Sequence, residues 1–555
     1  QQMGGVLHSD PLLVTLEGKY DTTTGAILAN TTAAPNNRKD YIVTGTMQGL
    51  LHMVDQSTGK EAFAFLPNEI VQDTARRDAL LDASNTQTTT THPYYGIDAP
   101  WASWVEYKVN TTSNKFEANI ANIYGGMRMG GSSYYGLNVK DPTDPKFLFQ
   151  IDPVSGTIKS ATSAANTTTA NAAIQAMGQS WSKPTLAKIR FGNSVKKVMI
   201  VGGGYDSVYE SNTYQPTSVT TASPNKGAGV YIFDATTGAL LWNVRAGANN
   251  VATTDVKNAN LKYSVVSEIK AFDRDADGLV DNLYFGDLGG QVFRVDLNNT
   301  YGTTAANFGR VNRLADFSAL NQRFYEMPSL SIHERNGSRF GAIGIASGNR
   351  SFPLNVSNGA DNRIYALYDY DIASTNLFES TFTKTSDITE ANMLNWADIV
   401  STNVADLATN TKKGWYYVLR KTGTSNETAN TGTVKSLNGY LVVGNTAKFS
   451  DFYVSLYNPN HASSQQPDAC TGGITGSSIT KRLCLPYGVC GDIDDSSTSF
   501  NPDDRENNGD PKDGIGDVQA GGFVSGGQNL ITLVPGNGRN YKTTKVFQSS
   551  NWYER

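Results

Sequence analysis

Short apolar runs that end at an aspartate recur along the chain. Ile42-Val43-Thr44-Gly45-Thr46 leads to Leu51-His52-Met53-Val54-Asp55, then Gln56-Ser57-Thr58-Gly59. Val198-Met199-Ile200-Val201-Gly202 leads to Val230-Tyr231-Ile232-Phe233-Asp234, then Ala235-Thr236-Thr237-Gly238. Leu283-Tyr284-Phe285-Gly286 leads to Val292-Phe293-Arg294-Val295-Asp296, and Gly344-Ile345-Ala346 to Ile364-Tyr365-Ala366-Leu367-Tyr368-Asp369. Each short β-rich run predicts an inner strand packed on both faces. A glycine turn reverses it. The next strand ends at an Asp whose side chain can accept nearby backbone N–H groups, and Thr-Gly supplies the positive φ of a tight turn. Repetition of this unit at irregular spacing predicts an all-β chain, a modified β-propeller of about seven blades with long polar loop insertions. The insertions fall at 86–91, 160–170, 211–226 and 423–434. Helical spacing with an acidic start predicts one helix over 387–396, and a second is expected near 164–177.

Composition agrees with strands and turns. The chain has 555 residues, 53 of them glycine, and 17% are charged. A chain of this length buries a substantial core unaided, so 1–555 is read as one propeller domain with an irregular Cys- and Asp-rich insertion at 470–520. The net charge of −5 comes without a basic stripe, which argues against nucleic acid as a partner. No apolar run is long enough to span a bilayer. Gln1 to Leu7 do not form a signal peptide, so a piece of a longer protein is expected. Cys470, Cys484 and Cys490 stand together late in the chain, and one disulfide within that segment is expected, in keeping with a secreted context. Which two of the three pair stays open.

The sharpest chemical signal is Asp273-Arg274-Asp275-Ala276-Asp277-Gly278-Leu279-Val280-Asp281. Calcium takes six to eight oxygen ligands, and an EF-hand loop offers them at positions 1, 3, 5, 7 and 9 with Gly at 6. Asp273, Asp275 and Asp277 fill the first three, Gly278 takes the turn, the carbonyl of Leu279 falls at seven and Asp281 at nine. Position twelve is Tyr284 rather than the usual bidentate Glu. The flanks, Val265 to Phe272 and Leu283 to Phe285, read as strands, so the ion would sit in a hairpin connection. Four carboxylates within nine residues repel one another unless a cation lies among them. The acidic stretch from Asp492 to Asp517 lacks this spacing and reads as a solvated loop.

Other chemistry is missing. His8, His52, His92, His333 and His461 have no zinc-ligand spacing. There is neither a nucleophile elbow nor a phosphate loop, and no helix pattern follows Gly202-Gly203-Gly204. No catalytic residue emerges, and a non-enzymatic role is expected. Tyr94, Tyr95 and Trp101 are candidates for a contact patch on a loop.

The chain resembles the C-terminal domain of the PilC/PilY family of type IV pilus tip-associated adhesins. The likeness lies in Gly5-Val6-Leu7-His8-Ser9-Asp10-Pro11, Gly45 to His52, Gly59 to Pro67, Ser180-Trp181-Ser182-Lys183-Pro184, and Asp273 through Gly290. It implies a propeller distantly like the quinoprotein propellers and calcium at the loop already read from spacing. It also implies roles in pilus biogenesis, in calcium-dependent control of pilus extension and retraction, and in adhesion to host cells or surfaces. Implied partners are the minor pilins and a host-cell receptor or abiotic surface. The implied location is the bacterial cell surface, at the pilus tip or outer membrane. The family's variable N-terminal half lies outside this sequence. Two other readings remain in view. Integrin-like or lectin-like adhesive propellers carry such Asp loops in several blades. Quinone-dependent dehydrogenases hold calcium beside their cofactor, whereas here the ligand run is local and contiguous.

Overall fold

The computed structural model describes residues 4–81, 94–247, 254–300, 307–353, 361–399 and 411–419, apart from single positions 26, 36 and 212. Beyond these it describes strand segments and short connections between 435 and 542. The acidic stretch from Asp492, the insertions at 86–91 and 423–434, His92 and His461 fall almost wholly outside the described residues.

The secondary structure is overwhelmingly β. A nine-stranded sheet holds two runs of four strands. The first runs through Leu12–Lys19, Arg38–Gly45, Leu51–Asp55 and Glu61–Phe65. The second runs through Lys115–Gly125, Tyr134–Asn138, Lys146–Asp152 and Thr157–Ser160, with Trp101–Asn110 alongside. A five-stranded sheet follows over 185–258, then a four-stranded sheet of Lys270–Phe272, Asn282–Gly286, Gln291–Leu297 and Gly309–Asp316. Five-stranded sheets over 329–418 and 435–513 and a three-stranded sheet over 519–542 complete the order.

The repeated phrase folds as its residues dictate. Val198, Met199, Ile200 and Val201 are all fully buried, so this strand has apolar matter on both faces. It pairs antiparallel with Gly229–Asp234 in the register Val198 to Asp234 and Gly202 to Val230. At the end of that partner, Asp234 Oδ1 accepts the N–H groups of Thr236 and Thr237 at 2.9 and 3.2 Å, and Gly238 takes φ +75°. Asp55 repeats the device with Ser57 and Thr58, both at 2.9 Å, closed by Gly59 at φ +68°. Two residue types thus set each reversal, one satisfying the free amides and one supplying the left-handed backbone.

The helical expectations fare differently. Over 387–396 the chain forms a 3-10 turn at Glu390–Asn392, capped reciprocally by Thr389 and Asn392. It then becomes extended, because Leu394 and Asn395 pair in parallel with Trp415 and Tyr416. Helix resumes only at Trp396–Ile399. An open strand edge, with its row of unpaired amides, outweighs local helical spacing here. Near 164–177 the same competition leaves only Ser163–Ala165 and Ala172–Gln175 helical, since Thr167 bonds back to Ile158 in both directions. Two helices that periodicity did not reveal, Asn68–Gln72 and Thr74–Leu81, follow the first four-stranded run. Trp101 is no loop residue. It opens a strand, is 2% exposed and covers Gly125, where any Cβ would collide with its ring.

The chain is made of two compact units. One comprises Gln1–Val208, Thr217–Leu283 and Asp296–Arg310, the other Tyr209–Pro216, Tyr284–Val295 and Val311–Arg555. In the first unit, one core gathers Val14, Val43, Met53, Ile123 and Leu137, and a second gathers Tyr134, Phe149, Met199, Tyr231 and Phe233. The other unit centres on Phe340, Ile364, Trp415, Phe452 and Leu483. Cys484, in this last core region, is disulfide-bonded, and its partner lies outside the described residues.

Candidate metal centre

The loop 273–281 leaves the strand Lys270–Phe272 and enters Asn282–Gly286, neighbours in one sheet. Its closing end is pinned from three sides. The Asp281 N–H donates to the Phe272 carbonyl at 2.9 Å, Leu297 N–H to the Asp281 carbonyl at 2.7 Å, and Val280 N–H to the Lys188 carbonyl at 2.9 Å. The loop itself is wound tightly. Ala276 and Gly278 take φ +62° and +87°, and Gly278 donates its N–H to Asp273 Oδ2 at 2.8 Å. Left-handed backbone at alternate positions turns side chains of the same loop inward, and glycine takes it without steric cost.

Three carboxylates converge. Ligand oxygens of Asp273, Asp275 and Asp281 lie within 4.8 Å of one another. Asp281 Oδ2 accepts the Arg274 N–H at 2.8 Å and its Oδ1 the Asn299 amide at 3.1 Å. Asn299 is held in turn, donating to the Val280 carbonyl at 2.9 Å and accepting the Arg190 N–H at 2.9 Å. Burial pushes the Asp281 carboxyl above its ordinary range, and the charge of Asp275 adds to that, against the hydrogen bonds from Arg274 and Asn299. Asp277 stands apart from the three and accepts the Leu279 N–H at 2.7 Å. Leu279 is 6% exposed, so that end of the loop is buried.

Asp273 supplies the test of fit. Its Oδ1 is buried and has no hydrogen-bond donor. A buried carboxylate oxygen without a partner carries a full desolvation cost. A hard cation among three aspartates removes that cost, and an oxygen-only donor set suits calcium. The residues present therefore fit the ion. Asn299, eighteen positions beyond Asp281, is a supporting residue that sequence spacing cannot reveal, because a neighbouring strand brings it in.

The described histidines serve other ends. His8 Nδ1 lies 2.9 Å from both oxygens of Asp98, and His52 Nδ1 lies 2.5 Å from Glu61. His333 is buried beside the Ser331 hydroxyl at 2.8 Å, and burial pushes its imidazole down to about 4.

Comparison with known proteins gives a consistent outcome. Residues 15–321 match the model of the PilY1 beta-propeller domain. A type IV pilus biogenesis factor PilY1 homolog of Xylella fastidiosa is 23% identical over 392 residues, 66% of this chain and 22% of that protein. The type IV pilus biogenesis factor PilY1 of Pseudomonas aeruginosa is 25% identical over 290 residues, 52% of this chain and 19% of that protein. The matched stretches thus span about a fifth of the length of these relatives. The crystal structure of the Pseudomonas aeruginosa PilY1 C-terminal domain superposes with a TM-score of 0.56 at 16% identity, covering 92% of this chain and 95% of that one. The fold is an all-β propeller.

Proposed function

The chain belongs to the PilY1 beta-propeller family, and from that premise we propose that it is the calcium-binding propeller of a type IV pilus tip adhesin. In this reading it is a binding and regulatory module, not an enzyme. It acts at the bacterial surface in pilus biogenesis and in calcium-dependent control of extension and retraction, with minor pilins and a host receptor or abiotic surface as partners. Calcium would be held by Asp273, Asp275 and Asp281, with Asp277 and the Leu279 carbonyl completing the loop. When bound, the ion supplies positive charge beyond the single Arg274 that the loop sets against its four aspartates.

One observation carries the calcium assignment. Asp273 Oδ1 is buried without a donor beside two further carboxylates. Asp273→Ala and Asp281→Ala should each weaken calcium binding at least tenfold in isothermal titration, while circular dichroism stays that of the parent. Unchanged affinity in both variants would sink the assignment. The pilus role has a separate test. Pull-down with purified minor pilins should retain the chain in calcium and release it in chelator.

A further inference from the structure

Apart from the calcium loop, the first unit carries a cleft of about 160 Å³. It opens beside the turn that follows the strand Lys146–Asp152 and beneath the segment carrying Lys226. Its polar side chains divide into committed and uncommitted groups. Asp206 is committed, accepting the N–H of Val208 on one oxygen at 3.1 Å and that of Lys226 on the other at 2.8 Å. Gln179 Oε1 accepts the Trp181 indole N–H at 3.0 Å, which leaves its NH2 as the group still to be satisfied. Among the described residues, the hydroxyls of Ser132 and Ser207 and the ammonium of Lys226 have no protein partner.

The uncommitted set is therefore rich in donors and carries one formal positive charge, alongside the Asp206 carboxylate, whose own negative charge is met by two backbone N–H groups. Its complement is an acceptor-only group with negative charge, and a carboxylate is the common biological case. The backbone of Lys226 is held on both sides, its N–H by Asp206 and its carbonyl by the Ser264 hydroxyl at 2.5 Å. These bonds fix the root of the side chain, while its exposed ammonium is free to turn toward a ligand. The remaining lining is apolar. Tyr205 is 1% exposed and stacks on Trp181 with centroids 4.2 Å apart, while Val154 stands 74% exposed. The volume is well below the roughly 300 Å³ at which cavities begin to enclose whole small molecules. It suits one side chain or one chain end.

We propose that this cleft binds a carboxylate presented on a short apolar stem by a partner peptide, either an acidic side chain or a C-terminus. The ammonium of Lys226 and the Gln179 amide make the primary contacts, and the two serine hydroxyls complete them. Nothing in this site draws on the calcium loop, so the two readings fail independently.

The test is calorimetric titration of the full chain with four short peptides. Three are blocked at both ends and differ only in a central Glu, Gln or Lys. The fourth is an alanine peptide with a free C-terminus. The Glu peptide or the free-terminus peptide should bind about tenfold more tightly than the Gln peptide, and the tighter of the two identifies the source of the carboxylate. Lys226→Met should remove that preference, and Ser207→Ala should reduce it. Both side chains are exposed, so neither change touches the core. Equal affinity for Glu and Gln, preference for Lys, no binding of either carboxylate, or an unchanged preference in Lys226→Met would each overturn the proposal.

Discussion

At the scale of single residues, burial decides what an aspartate does. Asp55 and Asp234 start turns, and that role was readable from the Asp-x-x-x-Gly spacing around them. Asp287 looks similar in sequence, followed by Leu288-Gly289-Gly290 with the glycine one position nearer. In the fold it is fully buried. Its oxygens accept the N–H groups of Gly289 and Gln291 and the Gln291 side-chain amide, all at 2.9 Å. Burial pushes its carboxyl up to about 7, against those hydrogen bonds. The native state then holds the proton more tightly than the unfolded chain, whose carboxyl titrates near 4. The sign follows from linkage. This stabilising increment is fully present below about pH 4 and is lost as pH rises through about 7. Asp287→Asn keeps one acceptor and removes the titration. Its urea midpoint should change less between pH 5 and pH 8 than that of the parent, and equal slopes would exonerate Asp287.

At the scale of elements, strands are fastened by groups that no local pattern announces. Arg294 lies in Gln291–Leu297 and Asp369 ends Arg363–Asp369. Their side chains are 2% and 1% exposed and pair at 2.6 Å, with the Tyr284 hydroxyl donating to the same carboxylate at 2.8 Å. Val292, Phe293 and Val295 around it are fully buried, so the arginine stands in a strand of buried apolar side chains. The pairing across 75 residues explains it. Breaking such a pair leaves one buried charge alone, at a cost of about 3–5 kcal/mol, whereas replacing both partners costs much less. Arg294→Met should therefore lower stability by that order in denaturant unfolding. The double variant Arg294→Met, Asp369→Leu should recover most of it. The helices show the opposite limit. Helical spacing at 387–396 was real but lost to the sheet edge at Trp415, because pairing open amides is worth more than propensity in a short segment.

At the scale of the whole molecule, calcium held as proposed in the loop 273–281 would join chemistry to stability. A ligand that binds only the native state adds about 2.7 kcal/mol at about 100 times its dissociation constant. Thermal unfolding of the parent should shift upward with calcium and downward with chelator, and Asp281→Ala should show neither shift. A parent that is indifferent to chelator would place the loop outside the stability of the fold. The sequence by itself determined the strands, their Asp- and Gly-closed turns, the repeated unit and the acidic loop. The strands, the turns and the acidic loop are set by residues within a dozen positions of one another, where side-chain period and backbone φ act directly, and the repeated unit is their recurrence along the chain. Only the tertiary structure decided which aspartates converge and which stand aside, where Asn299 enters, what balances Arg294 and that a donor-lined cleft forms near Lys226. Those outcomes depend on which distant strands become neighbours, and burial and pairing exist only once they have.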